Sequence, residues 1–312
     1  MQEPPFLSIV LPVYNEEETL PELYKRLTAT MESLGHPYEL IFVDDGSQDS
    51  SYALLTELHA QDSKVHIVKL SRNFGHHIAL TAGLDYADGN AVILMDADLQ
   101  DQPEEIPKLL QIYQEGYDVV VGLRQNKKFS WLRRTLSSGY RWMLRRSLGI
   151  SFEGGVFRIL SRRVADAVRQ CRESDRMLLG LIQWVGFRQT YIPVEHGERY
   201  AGQSKYSLKQ QWRLARHALL TFSTAPLRLA SWLGSLSIVI SLISVLVLLI
   251  KEGIAGLQGW PALMVLVLFL GGVQLLCTGI LGSYLARAVT DGRARPLYIV
   301  EEKHPQPTQP SE

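Results

Sequence analysis

The chain has 312 residues, and its 32 lysines and arginines balance its 32 aspartates and glutamates, so the formal net charge is zero. This balance argues against a nucleic-acid-binding protein, because such proteins concentrate positive charge. The charges are unevenly placed, since none occurs between Arg228 and Lys251 or between Glu252 and Arg287. Each gap exceeds the ~20 apolar residues that cross a bilayer core, and the sequence therefore predicts two membrane spans.

From the amino terminus, apolar runs alternate with helical patterns. Strands are predicted where apolar runs lead into polar residues, at 7–13, 39–43, 91–95 and 119–121. Helices are predicted at 19–33, 50–61 and 77–87. His76 and His77 are expected to begin the last of these helices rather than to bind a metal. Such alternation is typical of a parallel βαβ sheet, whose strands bring their carboxyl ends to one edge. The chain is therefore expected to have an α/β fold with a ligand cleft at that edge.

Two carboxylates and an amide follow the third of these strands. Asp96, Asp98 and Gln100 come directly after the apolar run at 91–95. Carboxylate and amide oxygens are preferred ligands of Mg²⁺ and Mn²⁺, which also bind phosphates. A single aspartate would more often cap the next helix, but two acids one residue apart favour a site for a metal and a diphosphate.

Four segments resemble motifs of the family 2 glycosyltransferases with the GT-A fold, in content, order and spacing. They are residues 12–16 (PVYNE), 44–47 (DDGS), 71–75 (SRNFG) and 96–101 (DADLQD). Within that family the chain is most similar to the polyprenyl-phosphate glycosyltransferases, the group of dolichyl-phosphate mannose synthase and the GtrB-type enzymes. The resemblance implies a GT-A, Rossmann-like, mostly parallel sheet followed by interfacial helices and a two-helix transmembrane hairpin.

The resemblance also implies roles for individual residues. The nucleotide-sugar would be bound by Pro12, Tyr14, Glu16, Asp44, Asp45 and Asp96, and the metal by Asp96, Asp98 and Gln100. The lipid phosphate would be bound by Arg124, Arg133, Arg134, Ser137, Arg199, Ser204 and Lys205, with Arg133 and Ser137 or Arg134 and Ser138 as alternative pairs. The catalytic residues would be Asp98, Arg124 and Lys205. Glu153 would act either as a base or as an ion-pair partner of Arg158.

The predicted domains are a catalytic domain over 1–225, a transmembrane hairpin over 226–290 and a tail over 291–312, disordered from Lys303 onward. Basic aromatic segments at 127–148 and 207–223 predict helices on an anionic membrane surface, or else ordinary amphipathic helices packed on the sheet. Lysines and arginines flank the ends of the hairpin more than its turn. This bias predicts a protein of the inner membrane whose catalytic domain and termini are cytoplasmic. Glycines in the second span would allow it to pack closely against a helix of another copy, so a homo-oligomer is possible.

The expected reaction is the inverting transfer of a hexose, with glucose as first choice, from a UDP-sugar to undecaprenyl or another polyprenyl monophosphate. Two alternatives stay open, a processive membrane polysaccharide synthase and a non-catalytic, membrane-tethered nucleotide-sugar sensor. The synthase is disfavoured because those enzymes carry a QxxRW segment. In this chain Arg141 and Trp142 match its last two residues, but Ser138 occupies the position of the glutamine. The sensor is disfavoured because the acids expected to bind the metal are intact.

Overall fold

The computed structural model describes residues 6–124, 154–174, 176–197, 225–252 and 260–304. These residues form two units, one built on a β-sheet and one formed by two long helices. The segment that follows the second long helix belongs to the sheet unit. The interfacial helices predicted at 127–148 and 207–223 lie outside the described residues.

The sheet has eight strands within the described part of the chain. They are β1 (Leu7–Val13), β2 (Tyr38–Asp44), β3 (Val65–Leu70), β4 (Ala91–Leu94), β5 (Val119–Arg124), β6 (Arg158–Ser161), β7 (Gln189–Val194) and β8 (Val300–His304). Their order is β7-β5-β6-β4-β1-β2-β3-β8. Strands β3, β2, β1 and β4 are parallel, as are β5 and β7, whereas β6 and β8 run antiparallel to their neighbours. The four predicted strands are confirmed. Six of the eight described strands run in one direction, so the sheet is mixed and, as predicted, mostly parallel.

Helices cover both faces of the central strand. The described helices of this unit are α1 (Leu20–Leu34), α2 (Ser51–Gln61), α3 (His76–Tyr86), α4 (Ile106–Gln114), α5 (Arg162–Gln170) and α6 (Leu178–Trp184), with a 3₁₀ turn at Pro103–Glu105. The three predicted helices are confirmed as α1, α2 and α3, and α3 begins at His76. In β1, Ile9 packs with α1 in the main core, whereas Val10 meets α3. A Cβ at Gly83 would lie 2.2 Å from Val10 Cγ1, so a glycine lets α3 lie this close to the sheet.

The segment after the helical unit forms the edge strand β8, which the sequence did not predict. Lys303 and His304, assigned above to a disordered tail, lie in this strand, and that assignment was wrong. The Tyr298 hydroxyl donates to Asp85 Oδ2 at 2.9 Å, and the Lys303 ammonium lies 4.0 Å from the centroid of the Tyr86 ring. Because β8 pairs with β3, it covers an edge that would otherwise offer unpaired backbone groups.

The helical unit consists of α7 (Ala225–Glu252) and α8 (Trp260–Gly292), which pack against each other. Cys277 Sγ lies 3.3 Å from the carbonyl oxygen of Ala230. Large apolar side chains on both helices are exposed, including those of Trp232, Ile250 and Leu275. Within the described residues, one stretch, Phe269–Gly292, has the length and composition of a membrane span. The pair of helices is therefore present, and the hairpin with two membrane spans stays a prediction.

Candidate functional site

Three parallel strands bring their carboxyl ends to one edge of the sheet. Val13 of β1 is paired in register with Asp44 of β2, and Val10 with Leu94 of β4. The polar residues that follow these strands therefore lie side by side, as the sequence predicts. We call residues 96–101, which follow β4, the carboxylate loop.

Exposure alternates along the carboxylate loop. Ala97, Leu99 and Asp101 are almost completely buried, with at most 3% of their surface exposed. The residues between them, Asp96, Asp98 and Gln100, are partly exposed. The buried side chains thus anchor the loop to the core, while the side chains with oxygen ligands are partly exposed at this edge of the sheet.

Local backbone geometry shapes the same loop. Leu99 has a φ of 60°, in the left-handed region that non-glycine residues seldom adopt. Asp98 Oδ1 accepts a hydrogen bond from the backbone N–H of Gln100 at 3.1 Å, across this turn. Asp98 therefore stabilises the shape of the loop, and its carboxylate is partly exposed at the edge of the sheet.

The donor set suits a divalent cation that takes further ligands from a diphosphate. No three His, Cys, Asp or Glu side chains among the described residues form a metal-binding group by themselves. Asp96 and Asp98 supply two carboxylates, and Gln100 adds an amide oxygen. Mg²⁺ and Mn²⁺ accept such oxygens and hold phosphate oxygens in the remaining positions. The residues present fit such an ion.

His76 contacts the carboxylate loop, and this contact was not predicted. Its Nε2 lies 3.3 Å from Asp96 Oδ1, and 46% of the imidazole is exposed. Desolvation lowers the pKa of His76 despite the attraction of Asp98 and Asp101. Because β3 and β4 are both parallel to β1, the start of α3 lies at the same edge as the end of β4. That topology is the signal that could have identified His76.

Asp44 and Asp45 are buried and bonded within the protein. The two carboxylate oxygens of Asp45 accept the backbone N–H groups of Phe74 and Gly75 at 2.7 and 2.9 Å. Asp44 accepts a longer bond of 3.3 Å from the backbone N–H of Ser47. Burial raises the pKa of both carboxyl groups, and the two backbone donors partly offset this effect for Asp45. Their expected role in nucleotide binding stays a prediction, and their visible role is to fix the loops around the cleft.

The glycine after these acids permits a close approach between two loops. Gly46 has a φ of 71°, and a Cβ there would lie 2.7 Å from the backbone of Arg72 and Asn73. Any side chain would therefore push the 71–75 segment away from the turn after β2. The DDGS turn at 44–47 and the SRNFG segment at 71–75 therefore pack directly against each other.

The turn after β1 carries an exposed aromatic ring beside this junction. Tyr14 exposes 43% of its surface, whereas Pro12 lies inside β1, paired with Val43. Asn15 has a φ of 55°, and its Oδ1 accepts the backbone N–H of Gln48 at 2.8 Å. Glu16 Oε2 accepts the hydroxyl of Thr19 at 2.9 Å. Tyr14 is therefore the side chain of this turn that is best placed to meet a planar ligand group.

Comparison with known proteins identifies the family. Residues 8–169 match glycosyl transferase family 2. The chain is 40% identical over 301 residues to an uncharacterized glycosyltransferase of Synechocystis sp., covering 95% of each chain. It is 39% identical over 302 residues to the uncharacterized glycosyltransferase YkcC of Bacillus subtilis, covering 95% of this chain and 94% of that protein. This chain belongs to glycosyl transferase family 2.

The fold of this family 2 glycosyltransferase is the expected GT-A, Rossmann-like mixed α/β sheet. One similar solved structure is glucosyl-3-phosphoglycerate synthase from Mycobacterium tuberculosis in complex with Mn²⁺ and UDP-glucose. It is 19% identical, with a TM-score of 0.47, and the match covers 70% of this chain and 77% of that chain. The Mn²⁺ and UDP-glucose in that structure are bound to the mycobacterial enzyme.

The predicted acceptor residues of the glycosyltransferase lie largely outside the described residues. Arg124 ends β5, which runs in the same direction as β4, so its backbone reaches the same edge as the carboxylate loop. The remaining residues predicted to contact the acceptor are in segments that the structure does not describe, namely Arg133, Arg134, Ser137, Glu153, Arg199, Ser204 and Lys205. Their roles stay predictions.

Arg158, considered above as a partner of Glu153, begins β6 and is buried. It is paired in register with Leu94 of β4, two residues before Asp96. Its guanidinium donates to the carbonyl oxygens of Gly155 and, at 3.2 Å, of Val156. Burial lowers the pKa of Arg158 to about 10. This arginine therefore holds the loop that leads from residue 154 into β6.

Proposed function

We propose that this glycosyltransferase transfers a hexose, with glucose as first choice, from a UDP-sugar to the phosphate of a polyprenyl lipid such as undecaprenyl phosphate. The observation that carries the proposal is the carboxylate loop, which presents Asp96, Asp98 and Gln100 at the carboxyl edge of a family 2 sheet. The apolar helices α7 and α8 support a lipid acceptor rather than a soluble one.

On the donor side, Asp96, Asp98 and Gln100 would hold Mg²⁺ or Mn²⁺ together with the diphosphate of the UDP-sugar. When bound, the ion stabilises the negative charge that develops on the leaving UDP. Tyr14 would stack on the uracil, with Pro12 and Glu16 beside it. Asp45 would keep the turn after β2 and the 71–75 segment in place around the nucleotide.

On the acceptor side, a phosphate oxygen of the lipid would attack the anomeric carbon. A bond forms between that oxygen and the anomeric carbon while the bond from the carbon to the diphosphate oxygen breaks, and UDP leaves. This single displacement inverts the anomeric centre, so an α-linked donor gives a β-linked lipid product. Because the attacking oxygen is already anionic near neutral pH, the main task of Arg124 and Lys205 would be to position it.

The location we propose is the cytoplasmic membrane, with both termini and the catalytic domain in the cytoplasm. Lysines and arginines flank the helix pair, whereas Lys251, in the last turn of α7, is the single lysine or arginine between Arg228 and Arg287. A membrane would cover the exposed apolar side chains of α7 and α8, whose exposure to water is unfavourable. Packing of α8 against another copy of the chain would be compatible with this arrangement.

The test is a transfer assay with the full chain in detergent. Purified protein is incubated with Mn²⁺, undecaprenyl phosphate and each of several UDP-sugars labelled in the sugar, and heat-denatured protein serves as the inactive control. Label in a chloroform-extractable lipid phosphate supports the proposal. Label in a polymer would instead identify a polysaccharide synthase, and UDP-sugar binding without any transfer would identify a sensor. Either result would refute the proposal.

A further inference from the structure

His76 begins α3 and contacts the carboxylate loop from a second element of the sheet unit. Its Nε2 lies 3.3 Å from Oδ1 of Asp96, one of the two acids proposed to bind the metal. The imidazole has 46% of its surface exposed, and the Asp96 side chain has 20%. The contact therefore lies at the accessible edge of the sheet and not in the core, so it can bear on a ligand of the loop.

Hydrogen bonds on both sides of His76 in the chain fix its backbone. Before it, the backbone N–H groups of Phe74 and Gly75 donate to the carboxylate of Asp45 at 2.7 and 2.9 Å. After it, the backbone N–H of Ile78 donates to the carbonyl oxygen of Gly75 at 2.9 Å, in the first turn of α3. The imidazole therefore starts from a fixed point beside the carboxylate loop.

The two acids of the carboxylate loop are contacted from different parts of the chain. Asp98 accepts the backbone N–H of Gln100, which belongs to the loop itself. Asp96 is contacted by His76, which belongs to α3. An imidazole can donate an N–H from Nε2 whether it is neutral or charged. Metal-binding carboxylates are themselves held by outer partners, whose loss typically weakens metal binding about 10- to 100-fold, and His76 has the position of such a partner.

We propose that His76 is a positioning residue, which holds the Asp96 carboxylate in the orientation that binds the divalent ion. This inference rests on the proposed function, because it assumes that Asp96 binds Mg²⁺ or Mn²⁺ together with UDP. His76 itself is not a ligand of the ion, in keeping with the finding that no three His, Cys, Asp or Glu side chains of the described residues form a metal-binding group. A carboxylate accepts more than one partner, so the contact at Oδ1 is compatible with an ion on the same side chain.

The experiment measures how much Mn²⁺ strengthens UDP binding to the full chain in detergent. Calorimetry gives the UDP affinity at one fixed Mn²⁺ concentration and again in EDTA, and we call the ratio of the two affinities the metal gain. His76→Ala should lower the metal gain at least about tenfold, the lower end of the cost of losing an outer partner. UDP affinity in EDTA should stay nearly unchanged, because His76 acts on the ion and not on the nucleotide. An undiminished metal gain in folded His76→Ala would refute the positioning role, and so would an increased gain, which would show that His76 competes with the ion.

Two conservative variants test which atom of His76 makes the contact. The amide nitrogen of glutamine can take the place of the imidazole Nε2, whereas that of asparagine corresponds to Nδ1. His76→Gln should therefore keep most of the metal gain, and His76→Asn should lose it as His76→Ala does. This pair serves as the test if His76→Ala fails to fold. Equal metal gains in the two variants would refute a role through Nε2.

The matched control is His36→Ala. His36 lies just before β2, at the opposite edge of the sheet, where its ring stacks on that of Phe6. Its replacement should leave the metal gain unchanged, and a loss equal to that of His76→Ala would refute a specific role for His76. Electron spin-echo spectroscopy of Mn²⁺ bound with UDP should show no coordinated nitrogen that disappears in His76→Gln. Such a signal would make His76 a ligand and would overturn the positioning role.

The unaltered chain separates this inference from the proposed function. If Mn²⁺ does not strengthen UDP binding to the unaltered chain, the metal assignment of the proposed function is refuted, and the inference that rests on it falls as well. If Mn²⁺ strengthens UDP binding equally in the unaltered chain and in His76→Ala, the donor site stands and the role of His76 alone is refuted.

Discussion

Asp98 offers a direct test of whether the carboxylate loop binds a metal or is only a well-formed turn. In the structure, Oδ1 of this residue accepts the backbone N–H of Gln100 at 3.1 Å, which stabilises the turn. Asparagine can perform that task with its amide oxygen, whereas alanine cannot. Both substitutions remove the negative charge with which Asp98 would bind a metal ion. Asp98→Asn and Asp98→Ala therefore separate the two roles.

The expected magnitudes differ enough to decide between them. Loss of a single partly exposed hydrogen bond is worth about 1 kcal/mol, which corresponds to a roughly fivefold effect. Loss of a group that stabilises charge in the transition state typically lowers turnover by about 10²- to 10³-fold. If Asp98 binds the metal, both variants should lose at least about 10²-fold and should differ from each other by no more than about fivefold.

The assay is transfer of labelled sugar to undecaprenyl phosphate at saturating Mn²⁺, with UDP binding followed by calorimetry and folding by thermal melting. Chelation with EDTA should abolish turnover of the unaltered chain and leave the melting temperature nearly unchanged. Near-normal turnover of Asp98→Asn, beside a modest loss in Asp98→Ala, would show that Asp98 only shapes the turn. That outcome would refute the metal assignment.

Three further predictions concern the acceptor, the pH dependence and the topology. Arg124→Ala and Lys205→Ala should raise the KM for the lipid phosphate while UDP affinity measured by calorimetry stays nearly constant, and an equal loss of UDP affinity would place these cations at the donor. Burial lowers the pKa of His77 from 6.5 to about 4. The native state therefore excludes a proton that the histidine of the unfolded chain takes up below pH 6.5, so stability present above pH 6.5 should fall as the pH is lowered, by about 2 kcal/mol at pH 5. His77→Gln should flatten melting temperatures between pH 8 and pH 5, and an unchanged slope would contradict the assignment. In spheroplasts, Gly256→Cys should react with an impermeant thiol reagent and Ser47→Cys should not, whereas labelling at position 47 would overturn the cytoplasmic orientation.

Much of the sheet could be predicted because its signals are local. The strands β1, β2 and β4 are apolar runs that end in acids, and the parallel arrangement follows from the helices between them. The gathering of Asp44 and Asp96 at one edge then follows from topology alone. The alternation of exposure along the carboxylate loop also follows from its pattern, because Ala97 and Leu99 are apolar and their neighbours are polar.

The strand β8 could not be predicted, because its stability is non-local. Its sequence, VEEKH, has no apolar alternation and favours no strand by itself. It forms because β3 offers an unpaired edge and because side chains distant in the chain bind it. The Tyr52 hydroxyl, for example, donates to Glu302, which is 250 positions further along.

The hydrogen bonds within the site could not be predicted from the sequence either, because they also join residues that are distant in the chain. Sequence motifs identify Asp45 as a candidate ligand, yet its oxygens bind the backbone of Phe74 and Gly75. The motif residues thus include groups that shape the cleft as well as groups that face it. Position in a motif does not distinguish these two roles, whereas hydrogen bonds do.

The chain leaves the sheet and returns to it at points that are both fixed. It leaves after Gly197, which is bonded to the carboxylate loop, and it returns through Tyr298, which is bonded to Asp85, before pairing as β8. The segments that lead to and from α7 and α8 therefore start from defined positions on the catalytic sheet. Asp85 and the carboxylate loop, which hold these two points, both belong to the sheet unit. The chain therefore departs from that unit and rejoins it where hydrogen bonds fix it, rather than at free ends.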